Sequence, residues 1–312
     1  MRTHSFLVIN PRSGGGSPSA EELVAAARAL GVETHLLAAG DDPAEIARAS
    51  GAAALGMAGG DGSLAAVAAV ALETEAAFVC VPFGTRNHFA RDVGLDGGDP
   101  LAALRAFTDG VERRVDVGRA GGRLFLNNVS LGIYARLVHR RERRRRRGEA
   151  LARLRALAAV AHHRHRLHLR VDGQPELARV VLVGNNRYDL SLFTLGERER
   201  LDRGVLQLAV AEDWLPRSWR DRVAPGFHVE LDAAAVHVAI DGEPAELETP
   251  LRFISLPGAL RLLVPAEGDA MHDNPEPSEE EQEESQSGRL DEEESMRYPS
   301  EAQPDAPDDA AE

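Results

Sequence analysis

The sequence predicts an α/β-plus-β protein, with a Rossmann-like parallel-sheet domain first and an antiparallel β-sandwich after it. Three observations carry this reading. Over residues 1–118 short apolar runs alternate with helical segments, the pattern of a parallel sheet covered on both faces. Three of those runs end in turns marked by glycine or proline. Beyond Asp116-Val117-Gly118 the apolar period changes to two, with turns between the runs, as in a sandwich.

In chain order, residues 5–9 read as a strand and 20–30 as a helix. Between them lies Asn10-Pro11-Arg12-Ser13-Gly14-Gly15-Gly16-Ser17, a glycine-rich turn. It is not the dinucleotide fingerprint, because Ser19 stands at the third glycine position; a flexible βα turn accounts for it equally well. Residues 32–38 read as a strand, 43–50 as a helix, 52–57 as a strand, 64–72 as an alanine-rich helix and 77–81 as a strand. The turn Gly59-Gly60-Asp61-Gly62-Ser63 joins the third strand to its helix. Glycines and an acid at that place offer bare backbone N–H groups and a positive helix end, which suits a polyphosphate. The third turn, Pro82-Phe83-Gly84-Thr85-Arg86-Asn87-His88-Phe89-Ala90-Arg91, gathers hydroxyl, amide and guanidinium groups. Ligands of such sheets bind beyond the carboxyl ends of the strands, where all three turns fall.

In the second half, residues 123–133, 165–171, 178–185, 205–211, 227–231, 236–240 and 251–256 read as strands. The expected domains are therefore 1–118, nucleotide-binding; 119–265, the sandwich, with a basic helical insertion at 136–161; and 266–312, a tail. The tail holds 18 acidic residues against two arginines, so the formal charge of −14 is misleading: residues 1–265 carry +2. Rich in Glu, Ser and Pro, the tail has too little apolar surface to offset its ordering entropy and is expected to be disordered.

All 36 basic residues are arginine. A Walker A loop and the protein-kinase strand lysine are thereby excluded, since both place a lysine on the phosphates. The one cysteine, Cys80, falls in an apolar run and suits a buried thiol. No apolar run approaches 18 residues and the N-terminus lacks a long apolar leader, so a cytoplasmic protein, at most peripheral on the inner face of the plasma membrane, is expected.

Asn10-Pro11 with Ser13-Gly14, then Gly59-Gly60-Asp61-Gly62-Ser63, then Pro82-x-Gly84-Thr85-x-Asn87, in this order and spacing, resemble the diacylglycerol kinase catalytic-domain family, which includes bacterial lipid kinases and sphingosine kinases. The resemblance spans about the first 265 residues. It implies a nucleotide domain and an all-β domain with the substrate between them, ATP and Mg²⁺ as cofactors, and a lipid hydroxyl such as that of diacylglycerol as acceptor. The ATP site it implies is Asn10, Pro11, Arg12, Ser13, Gly14, Gly59, Gly60, Asp61, Gly62, Ser63, Thr85 and Asn87. Asp61 and Asp116 stand near Mg²⁺, though both also suit turn or capping roles, as Thr85 and Asn87 suit a helix N-cap. The turn Asp241-Gly242-Glu243 resembles one that faces the nucleotide in these kinases. Carried over, Glu243 is the base that takes the substrate proton and Asp241 a supporting acid.

Two positions depart from the family pattern. His88 stands where an Asp is usual, and Asp202-Arg203-Gly204 replaces a paired-acid turn that holds a structural Mg²⁺ in some members, so that metal is not expected. NAD kinases share the second turn but carry Asn-Glu where this chain reads Asn127-Asn128. A catalytically weak nucleotide- or lipid-binding regulator is the alternative of another class.

Residues 136–147 hold eight arginines in twelve, from Arg136 to Arg147, and Leu151, Leu154, Leu157 and Val160 follow at helical spacing. Such a segment suits an anionic membrane surface, at about 1 kcal/mol per basic residue, and equally a solvated insertion. Nucleic acid is not the expected partner, because the body is nearly neutral and no aromatics interleave with the arginines. His162, His163, His165 and His168 run from a helix end into a strand and read as basic surface. Residues 184–188, a polar run ending a strand, have no assigned role.

Overall fold

Asn10, Gly60 and Phe83 come to lie side by side because the strands before them end in register. A computed structural model describes residues 4–14, 17–84, 87–132, 166–188, 198, 200–212 and 219–266. The parallel strands are β1 (Ser5–Ile9), β2 (Glu33–Leu36), β3 (Ala54–Gly59) and β4 (Ala77–Pro82), in the order β2-β1-β3-β4. Ile9 pairs with Ala58 and Gly59 with Pro82, so three carboxyl ends finish on one line.

The helices between them are α1 (Ala20–Ala29), α2 (Pro43–Ser50) and α3 (Asp61–Thr74). Ser19 and Glu22 form a capping box on α1; Asp42 caps α2, which opens on Pro43 and closes on left-handed Gly51. Along β1, Phe6 and Val8 join a core with Leu55, Met57, Phe78 and α3, whereas Leu7 and Ile9 face Leu23 and Ala27 of α1 on the other side. Both faces are thus covered, and this alternation requires the strands to be apolar throughout. Cys80 is buried in the first of these cores, where desolvation pushes its thiol pKa up. Three short helices follow: α4 (His88–Asp92), α5 (Pro100–Ala103) and α6 (Ala106–Asp109).

Next comes β5 (Gly110–Ala120), then β6 (Arg123–Phe125), β7 (Asn128–Gly132), β8 (Leu167–Val171), β9 (Gln174–Ala178), β10 (Val180–Asn185), β11 (Leu206–Ala211), β12 (Trp219–Ala224), β13 (Gly226–Leu231), β14 (Ala235–Ile240), β15 (Glu243–Glu248) and β16 (Leu251–Pro265). Among the described residues these form two sheets. The smaller runs β12-β11-β10-β7-β14-β15, all antiparallel; the larger continues the parallel strands through β16, β13, β8 and β9. Val129, Leu131, Val181, Val183, Leu208 and Val238 of the small sheet pack against Phe125, Val171, Phe227, Val229 and Phe253 of the large one, making the sandwich core.

The structure splits the strand read over 123–133 into β6 and β7, adds β9, β12 and the short helices α4 to α6, and moves two boundaries. Asp116, Val117 and Gly118, read as the end of the first domain, sit inside the 11-residue strand β5. The final strand, read as ending at residue 256, runs to Pro265: Pro257-Gly258 only interrupts its pairing with β5 at a bulge between Leu256 and Leu260. Leu262 and Leu263 then pair in parallel with Phe78 and Val79 of β4. The chain's last strand thus completes its first sheet, and the described residues belong to one compact unit ending at Ala266. The arginine-rich run 136–147, the helix expected after it and the acidic tail lie outside the described residues.

Because Phe253 is fully buried on β16 in the core between the two sheets, Phe253→Ala is expected to lower unfolding stability by about 3–5 kcal/mol. Exposed Val223→Thr should change it by less than about 0.5 kcal/mol; urea denaturation measures both.

Candidate active site

The first two turns are tied together by Asn10. Its Oδ1 accepts from the Arg12 N–H at 3.1 Å, the Ser13 N–H donates to its carbonyl at 3.1 Å, and its Nδ2 donates to Ser63 Oγ at 3.4 Å. Pro11 lies within this turn, and the Arg12 guanidinium reaches back to the Ala38 carbonyl at 3.1 Å, at the end of β2. The turns also touch through bare backbone. A β-carbon on Gly84 would lie 2.6 Å from the Gly60 Cα, and one on Gly14 would lie 2.3 Å from the Phe83 ring. Glycine at these places lets three loops close on one volume. A β-carbon on Gly59 would lie 3.0 Å from the Met57 side chain and 3.1 Å from that of Ser63.

α3 starts at this junction. Its N-cap is Gly60, so no side chain caps it, and the positive end of a 14-residue helix points between the turns. Asp61, its first residue, instead turns to the third loop: Oδ1 accepts from the Phe89 N–H at 3.0 Å and Oδ2 from the His88 N–H at 3.3 Å. It thereby caps α4, whose own N-cap residue, Asn87, is left-handed and turned inward. Asn87 Oδ1 accepts from the Gly84 N–H at 2.9 Å and its Nδ2 donates to the Gly97 carbonyl at 3.1 Å. The buried amide thus holds the loop's shape and is committed within it. Thr85 lies outside the described residues. The His88 imidazole Nδ1 accepts from Arg91 at 2.9 Å.

The sandwich contributes the Asp241-Gly242-Glu243 turn. Ile240 pairs with Glu243 across a two-residue hairpin whose residues Asp241 and Gly242 both have positive φ, 47° and 84°. Asp241 is buried and accepts from the backbone N–H groups of Leu126, Asn127 and Asn128 at 2.8, 2.8 and 3.0 Å. With Asp241 so anchored, Glu243 reaches the glycine turns: a β-carbon on Gly62 would fall 2.1 Å from Glu243 Cγ and 2.8 Å from its Oε1. The glutamate therefore lies on the first turn of α3, beside Asp61. Among the described residues no three His, Cys, Asp or Glu side chains gather as a preformed metal cluster.

Asp116 is placed differently from Asp61. Its buried carboxylate accepts from Asn186 Nδ2 at 3.1 Å and from the N–H groups of Gly204 and Gly258 at 2.6 and 2.7 Å. None of these partners belongs to the three turns, so its visible work is to clamp β5, β16 and the 202–204 turn. In that turn Arg200 holds the Asp202 carboxyl below its usual range, and the Arg203 N–H donates to Asn186 Oδ1.

The side chain that sequence reasoning missed is Arg198. It is buried, pairs with Asp92 at 2.6 Å, donates to the carbonyls of Leu126 and Asn185 at 2.7 and 3.0 Å and to Asn127 Oδ1 at 2.7 Å, and lies over the Tyr188 ring at 5.1 Å. Nothing in residues 196–201 distinguishes it from its arginine neighbours. The polar run noted at the end of β10 was the available signal: Asn185 Nδ2 donates to the Asp116 and Leu126 carbonyls at 2.8 and 3.0 Å.

Burial pushes the Asp241 carboxyl up to about 7, against the pull of its three amides. Its folded pKa then lies above the usual 3.8, so the folded state holds the proton more tightly; the resulting stability is complete below about pH 4 and is lost as pH rises through 7. Urea midpoints at pH 5 and pH 8 should show this fall in the wild type, and Asp241→Asn should reduce it.

Residues 4–120 match the diacylglycerol kinase catalytic domain. A Pseudomonas aeruginosa protein named "Probable lipid kinase YegS-like" is 30% identical over 307 residues, spanning 88% of this chain and 99% of its own. A Mycobacterium tuberculosis diacylglycerol kinase is 28% identical over 83% of this chain and 94% of its own. In fold, a diacylglycerol kinase from Bacillus anthracis superposes with a TM-score of 0.60 over 84% of this chain and 96% of its own, at 20% identity. No helix among the described residues is long and apolar enough to cross a membrane. The chain belongs to the diacylglycerol kinase catalytic-domain family, and is a phosphotransferase that acts on an alcohol acceptor within the lipid kinase group.

Proposed function

We propose that this enzyme uses ATP and Mg²⁺ to phosphorylate a lipid hydroxyl such as that of diacylglycerol, with Glu243 as general base. The observation that supports it most is the contact of Glu243 with Gly62: a carboxylate from the sandwich lies on the uncapped N-terminus of α3. Glycines at 14, 60 and 84 let the three turns approach one another closely beside the start of α3, whose free amides suit phosphate oxygens, and bound ATP supplies the group to be transferred.

In this reading the N-terminal turn of α3, with Gly59 to Ser63, receives the phosphates and Asn10 keeps the first turn against Ser63. Asp61 keeps the third turn in place and retains lone pairs that a cation can use. In this reading a divalent cation offsets the negative charge that Asp61 and Glu243 add near the start of α3, where the phosphates are received. Mg²⁺ suits this, needing one or two carboxylates with waters and phosphate oxygens. Glu243 accepts the proton of the attacking hydroxyl, and Asp241, whose carboxylate is taken up by three amides, positions it. A lipid acceptor puts the working enzyme at a membrane surface, where residues 136–147 are the sequence's candidate contact.

Transfer of radiolabel from ATP to diacylglycerol in mixed vesicles tests this. Glu243→Gln should lower kcat by about 10²–10⁴-fold and leave ATP affinity within about threefold, as expected for removal of a base. ATP binding without transfer by the wild type, to any extracted lipid, would favour a binding regulator. Gly84→Ala should weaken ATP binding at least about tenfold, because its β-carbon pushes the third turn off the second; calorimetric titration measures it.

A further inference from the structure

We propose that Arg198 is a positioning residue for phosphoryl transfer: it fixes the general base of the sandwich relative to the nucleotide turns. The inference rests on the reading of Glu243 as base. It comes from following hydrogen bonds around the site, a path that the packing of Glu243 on Gly62 closes into a ring.

One side of the ring is α4. Its first amides, at His88 and Phe89, are held by Asp61, and its last residue, Asp92, is held by Arg198 through both main chain and side chain: N at 3.1 Å and Nε at 2.7 Å. A five-residue helix is too short to bend, so it transmits the placement of one end to the other. The opposite side is the 126–128 segment. Arg198 binds the Leu126 carbonyl and the Asn127 side chain, and the N–H groups of the same residues bind Asp241. Asp241 sets the hairpin from which Glu243 returns to Gly62, next to Asp61. Arg198 thus bonds both to α4 and to the segment holding Asp241.

Its chemistry suits the task. A guanidinium is a planar fork with five donors, and here its three nitrogens reach a carboxylate, two carbonyls and an amide oxygen in fixed directions. Burial, with Tyr188 over one face, removes competing water. Lysine offers a single nitrogen and cannot reproduce the fork. As stability alone, a buried pair is weak value against apolar residues of like volume, so its geometric specificity is the better account of its presence.

The test replaces the pair together, because losing one partner strands a buried charge. In the Asp92→Leu, Arg198→Met protein, shown folded by its urea midpoint, kcat for transfer from ATP to diacylglycerol should fall between about ten- and a hundredfold, with ATP affinity unchanged within about threefold. Arg198→Lys should recover only part of the loss. A second measurement does not need turnover: hydrogen exchange at the amides of Leu126, Asn127 and Asn128 should quicken at least about tenfold in the double variant. Wild-type kcat in the folded variant, an equal loss of ATP affinity, or unchanged exchange at those amides each overturns the proposal. A wild-type protein that transfers no phosphate to lipid would refute the kinase reading instead, and the exchange measurement would still decide whether Arg198 holds the segment.

Discussion

The site depends on the contact between the Gly62 backbone and the Glu243 side chain, and that contact depends on a buried carboxylate. Glu243 begins an edge strand of the small sheet, where nothing about strand geometry alone would aim it at a helix terminus. Asp241 supplies the aim. Its three amide bonds tie the hairpin to residues 126–128, at the break between β6 and β7. Those N–H groups would otherwise be left without partners where the strand is interrupted, so one acid both satisfies the break and directs the hairpin. The cost is a desolvated carboxyl with a raised pKa, beside a second acid at Asp61.

The wider frame makes such precision possible. β16 pairs with β4 of the parallel half, with β5 along its length and with β13 of the sandwich. Three cores are therefore built on one sheet, and movement of one half against the other would break backbone ladders as well as side-chain packing. Asp116 strengthens the bend at the bulge by accepting from Gly258 while also binding Gly204 and Asn186. An acid expected near a cation thus has a visible structural use, in place of any shown link to the three glycine-marked turns.

Much of this was legible. Alternating apolar runs and helices gave the parallel half, because a strand buried on both faces must be apolar throughout, and Phe6 to Ile9 is so. The three turns were legible because close backbone approach demands glycine, and Gly14, Gly62 and Gly84 each meet an atom that a β-carbon would strike. The pairing of Asp61 with the third turn was not, since an acid after two glycines suits a cation and a helix cap alike. β5 was hidden by its exposed face, Val111 to Arg114, which looks like loop, and the end of β16 by Pro257-Gly258, which looks like a stop but forms a bulge. Arg198 was invisible for a different reason: burial of one arginine among many is decided by partners from Asp92, Leu126, Asn127 and Asn185, far apart in the chain.

The central claim is that three turns and one glutamate share a single volume. A crystal structure determined with a non-hydrolysable ATP analogue and Mg²⁺ tests it most directly. The expected result is phosphate oxygens within hydrogen-bond distance of the backbone amides at the start of α3, and the terminal phosphate facing the Glu243 carboxylate. A nucleotide seated where it touches neither Gly62 nor Glu243 would contradict it.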